Sequence, residues 1–199
     1  MKVVIIKYNA GNIRSVLFAL ERIGVKAIVT DDVNEIKTAD RVIFPGVGEA
    51  SSAMKYLKEK GLDKIICSLT QPVLGICLGM QLMCSYSEEN NTDCLGIFNQ
   101  QVKRFTDDNL KIPQIGWNNI RDLKSPLFQH INENAFMYFV HSYYVENCQN
   151  AIAKTDYITE FSAALHKNNF FAVQFHPEKS GETGQLVLEN FISNLGVES

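Results

Sequence analysis

The sequence lacks the features that mark several large classes of protein. It has no C-x-x-C pair, and its five cysteines are an odd number, so neither a disulfide framework nor a zinc site is indicated. The net charge of −3 offers no basic footprint for nucleic acid. The apolar amino terminus, residues 1–6, is far too short for a transmembrane helix and has no signal cleavage site. These absences predict a cytoplasmic protein that requires no cofactor or metal and binds neither nucleic acid nor membrane.

The amino-terminal half alternates between apolar runs and segments of helical periodicity. Strands are predicted at Val3–Ile6, Ala27–Thr30, Arg41–Phe44 and residues 72–76, and helices at residues 13–23, Ala50–Lys60 and residues 62–68, with Asn12 as a candidate cap of the first helix. This β-α-β order predicts an α/β fold, with a mostly parallel central sheet and helices on both faces. A length of 199 residues favours a single domain over residues 1–199.

The carboxy-terminal half does not continue the alternation of strands and helices. Residues 85–93 are polar and predict a loop, and a final helix is predicted over residues 182–195. Between them, short β-rich runs predict antiparallel strands that extend or flank the sheet. These runs lie at residues 101–105, 135–140, 152–155, 162–165 and 170–175.

A cysteine stands at the turn between the fourth strand and the helix that follows it. The stretch Gly75-Ile76-Cys77-Leu78-Gly79 has the glycine spacing of a nucleophile elbow, in which a tight strand-to-helix turn lifts the reactive side chain out of the sheet. The position near a helix amino terminus favours the thiolate form of a cysteine. The alternative interpretation is a buried structural cysteine, because free cysteine is among the most buried residue types.

A second group of reactive residues ends the strand at residues 170–175. His176 and Glu178 are two residues apart, so an extended backbone would point both side chains to the same side. A cysteine nucleophile needs a base and a group that orients the base. Cys77, His176 and Glu178 therefore form a candidate catalytic triad. On its own, His-Pro-Glu could equally be a strand end with a solvated carboxylate.

Acyl chemistry also needs hydrogen-bond donors for an oxyanion. The backbone N–H of Leu78, directly after the nucleophile, is one candidate. The second is expected from the turn Pro45-Gly46-Val47-Gly48, which follows the third strand and which could otherwise be a plain turn. A phosphate-binding loop is a poorer interpretation, since the sequence has no G-x-x-x-x-G-K-[ST] motif.

These motifs together resemble those of the triad-type (class I) glutamine amidotransferases. Further matches resemble the glutaminase subunits of imidazole glycerol phosphate synthases, from the first strand to the last helix. The matching segments are Gly75-Ile76-Cys77-Leu78-Gly79-Met80-Gln81, Gln174-Phe175-His176-Pro177-Glu178, Gly11-Asn12-Ile13-Arg14-Ser15-Val16, Pro45-Gly46-Val47-Gly48, Ile112-Pro113-Gln114-Ile115-Gly116-Trp117-Asn118, Tyr138-Phe139-Val140-His141-Ser142-Tyr143 and Lys179-Ser180-Gly181.

The resemblance implies a three-layer amidotransferase fold and a glutaminase reaction. Cys77 would attack the side-chain amide of L-glutamine, His176 would transfer the proton, and Glu178 would hold His176. The ammonia would pass to a (β/α)8-barrel cyclase subunit in a heterodimer, for the synthesis of imidazole glycerol phosphate and aminoimidazole carboxamide ribotide in histidine biosynthesis. Isolated members of the family are nearly inactive until the partner is engaged, which would make Val47 a mobile residue.

The resemblance also assigns roles to residues around the triad. It implies that Val47 and Leu78 form the oxyanion hole, that Gly48, Gln81, Glu89, Ser142 and Tyr143 bind the substrate, and that Asn12, Trp117, Tyr138 and Lys179 face the cyclase.

Each of these assignments has an alternative. Gln81 could lie on an exposed helix face, and Glu88 could be the matching carboxylate in place of Glu89. Ser142 and Tyr143 could simply continue a strand. A lone tryptophan is more often part of a core, and His141 is expected to be a structural or interface histidine and not a second base.

The sequence departs from the family pattern at three places. Lys7-Tyr8-Asn9 stands where Asp-Tyr-Gly is usual, Gln114 replaces a histidine, and Glu49-Ala50 follows the glycine turn where a phenylalanine is usual. These changes concern partner contacts and the turn, not the triad. Two other functions compete with the main interpretation. They are the same glutaminase chemistry for another acceptor synthase, and a catalytically silent subunit that only binds a partner.

Overall fold

The computed structural model describes residues 1–9 and 11–193. In that part of the chain the helices are α1 (Ile13–Arg22), α2 (Val33–Lys37), α3 (Ala50–Lys60), α4 (Leu62–Cys67), α5 (Leu78–Met83) and α6 (Gly181–Ser193), with short 3-10 turns at Pro126–Phe128 and Pro177–Lys179. The strands are β1 (Val3–Ile6), β2 (Ala27–Thr30), β3 (Arg41–Phe44), β4 (Val73–Ile76), β5 (Tyr86–Ser87), β6 (Thr92–Asp93), β7 (Gln101–Arg104), β8 (Gln114–Ile120), β9 (Ala135–His141), β10 (Tyr143–Val145), β11 (Ala151–Tyr157), β12 (Thr159–Lys167) and β13 (Phe170–Val173).

A seven-stranded sheet, in the order β11-β12-β13-β4-β3-β1-β2, forms the centre. The strands β2, β1, β3, β4 and β13 run parallel, and β12 and β11 extend the sheet in antiparallel pairing. Two smaller sheets flank it, one of order β10-β7-β5-β6 and one made of β8 and β9. The predicted α/β class, with a mostly parallel centre and an antiparallel portion, is confirmed.

Both faces of the central sheet are covered, which explains why its strands are continuously apolar. Successive side chains of β1 enter opposite cores, with Val3 and Ile5 in one and Val4 and Ile6 in the other. Helices α1 and α6 pack against the first face, and α2, α3, α4 and α5 contribute to the core on the second.

The structure corrects the predicted elements at five places. The predicted loop at residues 85–93 contains β5 and β6, and α2, β8 and β10 were not predicted. Strand β8 contains Gly116, Asn118 and Asn119, residue types that are depleted in strands, and it forms because all seven of its residues pair with β9. The strand predicted over residues 170–175 ends at Val173. It was predicted as antiparallel, but it pairs with β4 in parallel orientation. Helix α6 is described to Ser193, so the predicted end at residue 195 lies outside the described residues.

The amino termini of α1 and α2 differ in how they are capped. Asp32 caps α2, because its side chain accepts a hydrogen bond from the Glu35 N–H at 2.9 Å. Asn12 does precede α1, but its side chain makes no capping hydrogen bond. None of the helices among the described residues is both long and apolar enough to cross a bilayer.

Candidate active site

Cys77 lies at the sharp turn between β4 and α5. Its backbone has φ 53° and ψ −107°, a strained combination for a residue with a side chain. The two flanking glycines permit this turn. A Cβ on Gly79 would overlap the carbonyl oxygen of Phe44, and a Cβ on Gly75 would stand 3.0 Å from backbone atoms of Gly79 and Met80. The turn therefore depends on glycine at both positions, as the elbow pattern predicts.

His176 and Glu178 lie beside this elbow because β13 is parallel to β4. Val173 pairs with Ile76, and the Cys77 N–H donates to the Val173 carbonyl at 2.8 Å. The Nδ1 atom of His176 is 2.7 Å from Glu178 Oε1, and both side chains are buried. The expected extended backbone is wrong beyond His176, since Glu178 lies in the 3-10 turn at Pro177–Lys179, yet the turn still brings the two side chains together.

The second nitrogen of His176 is available for chemistry. Among the described residues, Nε2 is buried without a hydrogen-bond partner. Burial lowers the pKa of His176, but the neighbouring Cys77 and Glu178 outweigh this effect and raise the pKa to about 10. No hydrogen bond joins Nε2 to the Cys77 sulfur in this geometry, so we attribute the influence of Cys77 to charge. The imidazole is therefore held in its protonated form at neutral pH.

Asn12 supports the carboxylate of Glu178 in the candidate triad. Its side-chain amide donates to Glu178 Oε1 and lies 3.4 Å from His176 Nδ1. Its backbone is in the left-handed region, with φ 72°. The Asn12 side chain therefore bonds to Glu178 and does not cap the helix. Because the two residues are more than 160 positions apart, no local sequence pattern predicts this contact.

The loop at residues 45–48, from here on called the oxyanion loop, lies against the elbow. Its Gly46 carbonyl accepts the Leu78 N–H at 3.2 Å, so this predicted oxyanion donor is occupied in the structure. The Val47 carbonyl accepts the Gly11 N–H at 3.2 Å, and the Pro45 carbonyl accepts the Tyr8 hydroxyl at 2.6 Å. Burial raises the pKa of Tyr8, which keeps this hydroxyl protonated as a donor.

A cavity of about 250 Å³ opens beside Cys77. It brings together both predicted oxyanion residues and all five predicted substrate residues. The cavity is lined by Val47, Gly48, Cys77, Leu78, Gln81, Glu89, Pro113, Val140, His141, Ser142 and Tyr143.

The cavity distinguishes between the two candidate carboxylates. Glu89 lines it, and its Oε2 accepts the N–H of Ala50 at 2.7 Å. Burial raises the pKa of Glu89, and the hydrogen bond from Ala50 opposes that shift. The carboxylate of Glu88 instead accepts the backbone N–H of Arg104 at 2.7 Å. The geometry thus favours Glu89 as the acidic group of the cavity.

Gln81 is buried in the cavity wall and does not lie on an exposed helix face. Its amide nitrogen donates to the Tyr143 carbonyl at 3.1 Å and to Gln174 Oε1 at 3.0 Å. Both hydrogens of this amide are thereby used within the protein, so its carbonyl oxygen is what Gln81 can offer to a ligand. Sequence reasoning had assigned no role to Gln174.

His141 also lines the cavity, but both of its ring nitrogens are engaged. Nδ1 lies 2.7 Å from the Tyr143 carbonyl, which can only accept, so Nδ1 carries the hydrogen of the neutral ring. Nε2 lies 2.9 Å from Gln114 Oε1, and as an acceptor it requires the Gln114 amide to turn its nitrogen to the ring. Burial lowers the pKa of His141 to about 4. A neutral ring held at both nitrogens is a structural group and not a second base, and the glutamine at position 114 is its partner.

Of the four predicted interface residues, Asn12 turns its side chain inwards to Glu178, whereas Trp117, Tyr138 and Lys179 lie at the surface nearby. Trp117 and Tyr138 are paired across β8 and β9, with ring centroids 5.9 Å apart. The side chain of Trp117 is 56% exposed, which excludes the core alternative. Lys179 is exposed one residue after Glu178. Two further apolar residues of this sheet, Ile115 and Phe136, are 64% and 59% exposed.

Comparison with known proteins places this geometry in a family. Residues 4–195 match the model of the family described as Glutamine amidotransferase class-I. The imidazole glycerol phosphate synthase subunit HisH of Bacteroides fragilis is 60% identical over 194 residues, which cover 96% of this chain and 99% of that protein. The HisH subunit of Haemophilus influenzae is 46% identical over 196 residues, with 98% of both chains covered.

A similarity of structure supports the same fold. The crystal structure of a putative GMP synthase protein from Thermoplasma acidophilum superposes with a TM-score of 0.75 at 19% sequence identity, covering 96% of this chain and 92% of that one.

Proposed function

The chain belongs to the class-I glutamine amidotransferase family, and we propose that Cys77, His176 and Glu178 are the residues with which it hydrolyses L-glutamine. Similarity to HisH subunits over nearly the full length of both proteins identifies it as the glutaminase subunit of imidazole glycerol phosphate synthase, which acts in histidine biosynthesis. The observation that carries the residue assignment is the 2.7 Å contact of His176 with Glu178 behind an elbow cysteine that lines a cavity.

The cavity can bind glutamine by its charged end. Glu89 offers a carboxylate and Gln81 a carbonyl oxygen, two acceptors suited to the α-ammonium group. Glutamine held in this way would direct its side-chain amide towards Cys77. Gly48, Ser142 and Tyr143 also line the cavity.

The chemistry proceeds in two acyl-transfer steps. The Cys77 sulfur attacks the amide carbon, and the carbonyl oxygen takes the negative charge of the tetrahedral intermediate. His176 donates its proton to the departing nitrogen, and ammonia leaves as the glutamyl thioester forms. Water, deprotonated by His176, then adds to the thioester carbon, and glutamate leaves as the sulfur regains its electron pair. Glu178 orients the imidazole throughout, with Asn12 behind it.

The oxyanion loop must rearrange before this chemistry is efficient. The Leu78 N–H can stabilise an oxyanion only after the Gly46 carbonyl releases it, and rotation of the peptide between Gly46 and Val47 would achieve this and also turn the Val47 N–H towards the site. We therefore propose that residues 45–48 gate the glutaminase and that partner binding favours the open arrangement.

The relatives are named as subunits of a synthase, so the chain acts together with a cyclase partner. We propose that this partner is a (β/α)8-barrel cyclase in a heterodimer, and that ammonia passes to it directly. The exposed apolar residues of β8 and β9, next to Lys179 and the triad, are the proposed contact surface. The reducing environment predicted from five free cysteines supports a cytoplasmic location.

The Cys77→Ala variant, assembled with the cyclase, tests the assignment of the nucleophile. Synthesis from glutamine is expected to fall to background while synthesis from added ammonium salt is retained, because only the ammonia source is lost. Cys148→Ala, which removes a half-buried thiol in contact with Ser162, is the matched control and should leave both activities intact. Loss of both activities in an intact complex, or retention of the glutamine reaction, would refute the assignment.

A further inference from the structure

A chain of side-chain amides connects the nucleophile to the wall of the cavity. Gln174 Nε2 lies 3.6 Å from the Cys77 sulfur, and Gln174 Oε1 accepts from Gln81 Nε2 at 3.0 Å. Gln81 Nε2 also donates to the backbone carbonyl of Tyr143 at 3.1 Å. Gln174 is fully buried directly after β13, two residues before His176. The glutaminase mechanism described above makes no use of it.

The backbone carbonyl of Tyr143 determines which way both amides point. Oxygen and nitrogen of a glutamine amide are usually assigned from the hydrogen-bond network. Because a carbonyl can only accept, the Gln81 nitrogen must face Tyr143, and its second hydrogen points to Gln174. Gln174 must then present its oxygen to Gln81 and its nitrogen to the sulfur. The group that Gln174 directs at Cys77 is therefore a donor.

A hydrogen-bond donor at this position can stabilise the thiolate, which is the form of Cys77 that reacts. When Cys77 carries its proton, the S–H can donate to the Val140 carbonyl at 3.7 Å. Once the proton is gone, that carbonyl offers the sulfur nothing, whereas the Gln174 N–H can donate to the anion. Hydrogen bonds to charged groups are stronger than those between neutral groups. The same N–H remains available when the sulfur leaves the thioester as an anion.

The surroundings of Gln174 do not require an amide for packing. Its neighbours in sequence, Val173 and Phe175, are fully buried apolar residues. An amide is costly to bury unless its polar atoms are hydrogen-bonded, and the side-chain partners of this one are Cys77 and Gln81. An apolar side chain of similar size would fill the same space.

We propose that Gln174 is a further catalytic residue of the glutaminase. Its side-chain N–H donates a hydrogen bond to the sulfur of Cys77. Its hydrogen bond with Gln81 fixes the position of that donor relative to the substrate-binding residues of the cavity. This inference rests on the proposed function, since it presupposes that Cys77 is the nucleophile.

The test measures the rate at which iodoacetamide alkylates Cys77 in the full chain without glutamine. The reaction is run between about pH 6 and pH 10, the window in which cysteines titrate. Mass spectrometry of the Cys77 peptide gives the alkylated fraction at each time. Gln174→Met is expected to slow the reaction about tenfold near neutral pH and to move the profile to higher pH, because a charge-assisted hydrogen bond is lost. In complex with the cyclase, kcat for glutamine should fall by a similar factor.

Gln81→Met supplies a second arm of the same test. Gln81 does not bond to the sulfur, but it orients Gln174, so alkylation should slow by a smaller factor. The double variant should be no slower than Gln174→Met alone, because the two residues act as one chain. Gln71→Met is the matched control. It removes a half-buried amide that donates to the Ile36 carbonyl at 2.8 Å, away from the cavity, and should leave alkylation unchanged.

The outcomes separate this inference from the proposed function. An unreactive Cys77 in the unmodified chain would overturn both. A reactive Cys77 that is alkylated equally fast in the folded Gln174→Met variant would overturn the role of Gln174 alone, as would equal slowing in Gln71→Met. If Gln174→Met fails to fold, Gln174→Leu is used. Its side chain has no polar hydrogen to donate to the sulfur, so unimpaired alkylation at about pH 8 would also overturn the role.

Discussion

At the scale of single residues, the candidate triad could be proposed from the sequence because its signals are local. The spacing Gly75-x-Cys77-x-Gly79 describes one turn, and His176 and Glu178 are two residues apart. Asn12 and Gln174 could not be assigned in the same way. Their contacts join residues more than 90 positions apart, and only the folded arrangement shows which distant side chains meet.

His141 gives rise to a prediction about stability. Burial lowers its pKa to about 4 from an ordinary value of 6.5. Above pH 6.5 the residue is neutral in both folded and unfolded chains. Between pH 6.5 and 4 the unfolded chain binds a proton that the native state does not, so the free energy of unfolding should fall by roughly 3 kcal/mol. The raised pKa of His176 acts only above pH 6.5, outside this window.

Urea denaturation at about pH 7 and about pH 4 measures this effect, because these values lie near the two ends of the pH range over which His141 loses its stabilising contribution. In His141→Gln, an amide replaces the ring between Tyr143 and Gln114, and the free energy of unfolding should decrease less on acidification than it does in the unmodified chain. Equal pH dependence of the two proteins would show that His141 is not held neutral by burial.

At the scale of elements, the regular β-α-β segments were predicted well because their apolar periodicity is strong. Helix α2 and strand β8 were missed for different reasons. Helix α2 has five residues, too few for a periodic pattern, although Asp32 and Glu35 show the spacing of a capping box. Strand β8 is polar and is stabilised by its partner β9. The closed state of the oxyanion loop also had no signal in the sequence.

The oxyanion loop yields a prediction at this scale. The Tyr8 hydroxyl holds the Pro45 carbonyl at 2.6 Å, so Tyr8→Phe should weaken the closed arrangement. A neutral hydrogen bond contributes on the order of 1 kcal/mol, so the glutaminase rate without the cyclase should rise on the order of fivefold. The measurement is glutamate release by the isolated chain.

Tyr157→Phe is the matched control for this experiment. The Tyr157 hydroxyl also donates to a backbone carbonyl, that of Lys111 at 2.5 Å, but it does not contact the loop. It should leave the basal rate unchanged. A Tyr8→Phe protein that folds and yet shows an unchanged or reduced basal rate would contradict the idea that this hydroxyl restrains the loop.

At the scale of the whole molecule, the parallel sheet places the elbow and the triad base at adjacent strand ends, as expected for ligand sites in α/β folds. The antiparallel additions have another role. Strands β8 and β9 lie beside this edge and carry exposed apolar side chains, a pattern typical of interaction sites. The family resemblance suggested this surface through Trp117 and Tyr138, but composition alone did not reveal Ile115 and Phe136.

The proposed surface can be tested by truncating its largest side chain. Trp117→Ala should weaken binding of the cyclase by about thirtyfold or more, because exposed aromatic anchors dominate binding energy. Calorimetric titration measures the affinity. Ile28→Ala, which truncates a partly exposed apolar residue on the opposite edge strand β2, should bind normally. Unchanged affinity in Trp117→Ala would place the interface elsewhere.

The central claim is that this chain is a gated glutaminase whose chemistry awaits its partner. The most direct measurement is the rate of glutamate release from glutamine by the chain alone, with the cyclase, and with the cyclase and its ribulosyl ligand. The account predicts a very low rate for the chain alone and strong stimulation by cyclase and ligand together. A complex that forms but releases no glutamate would contradict the assignment of Cys77, and a chain fully active alone would contradict the closed oxyanion loop.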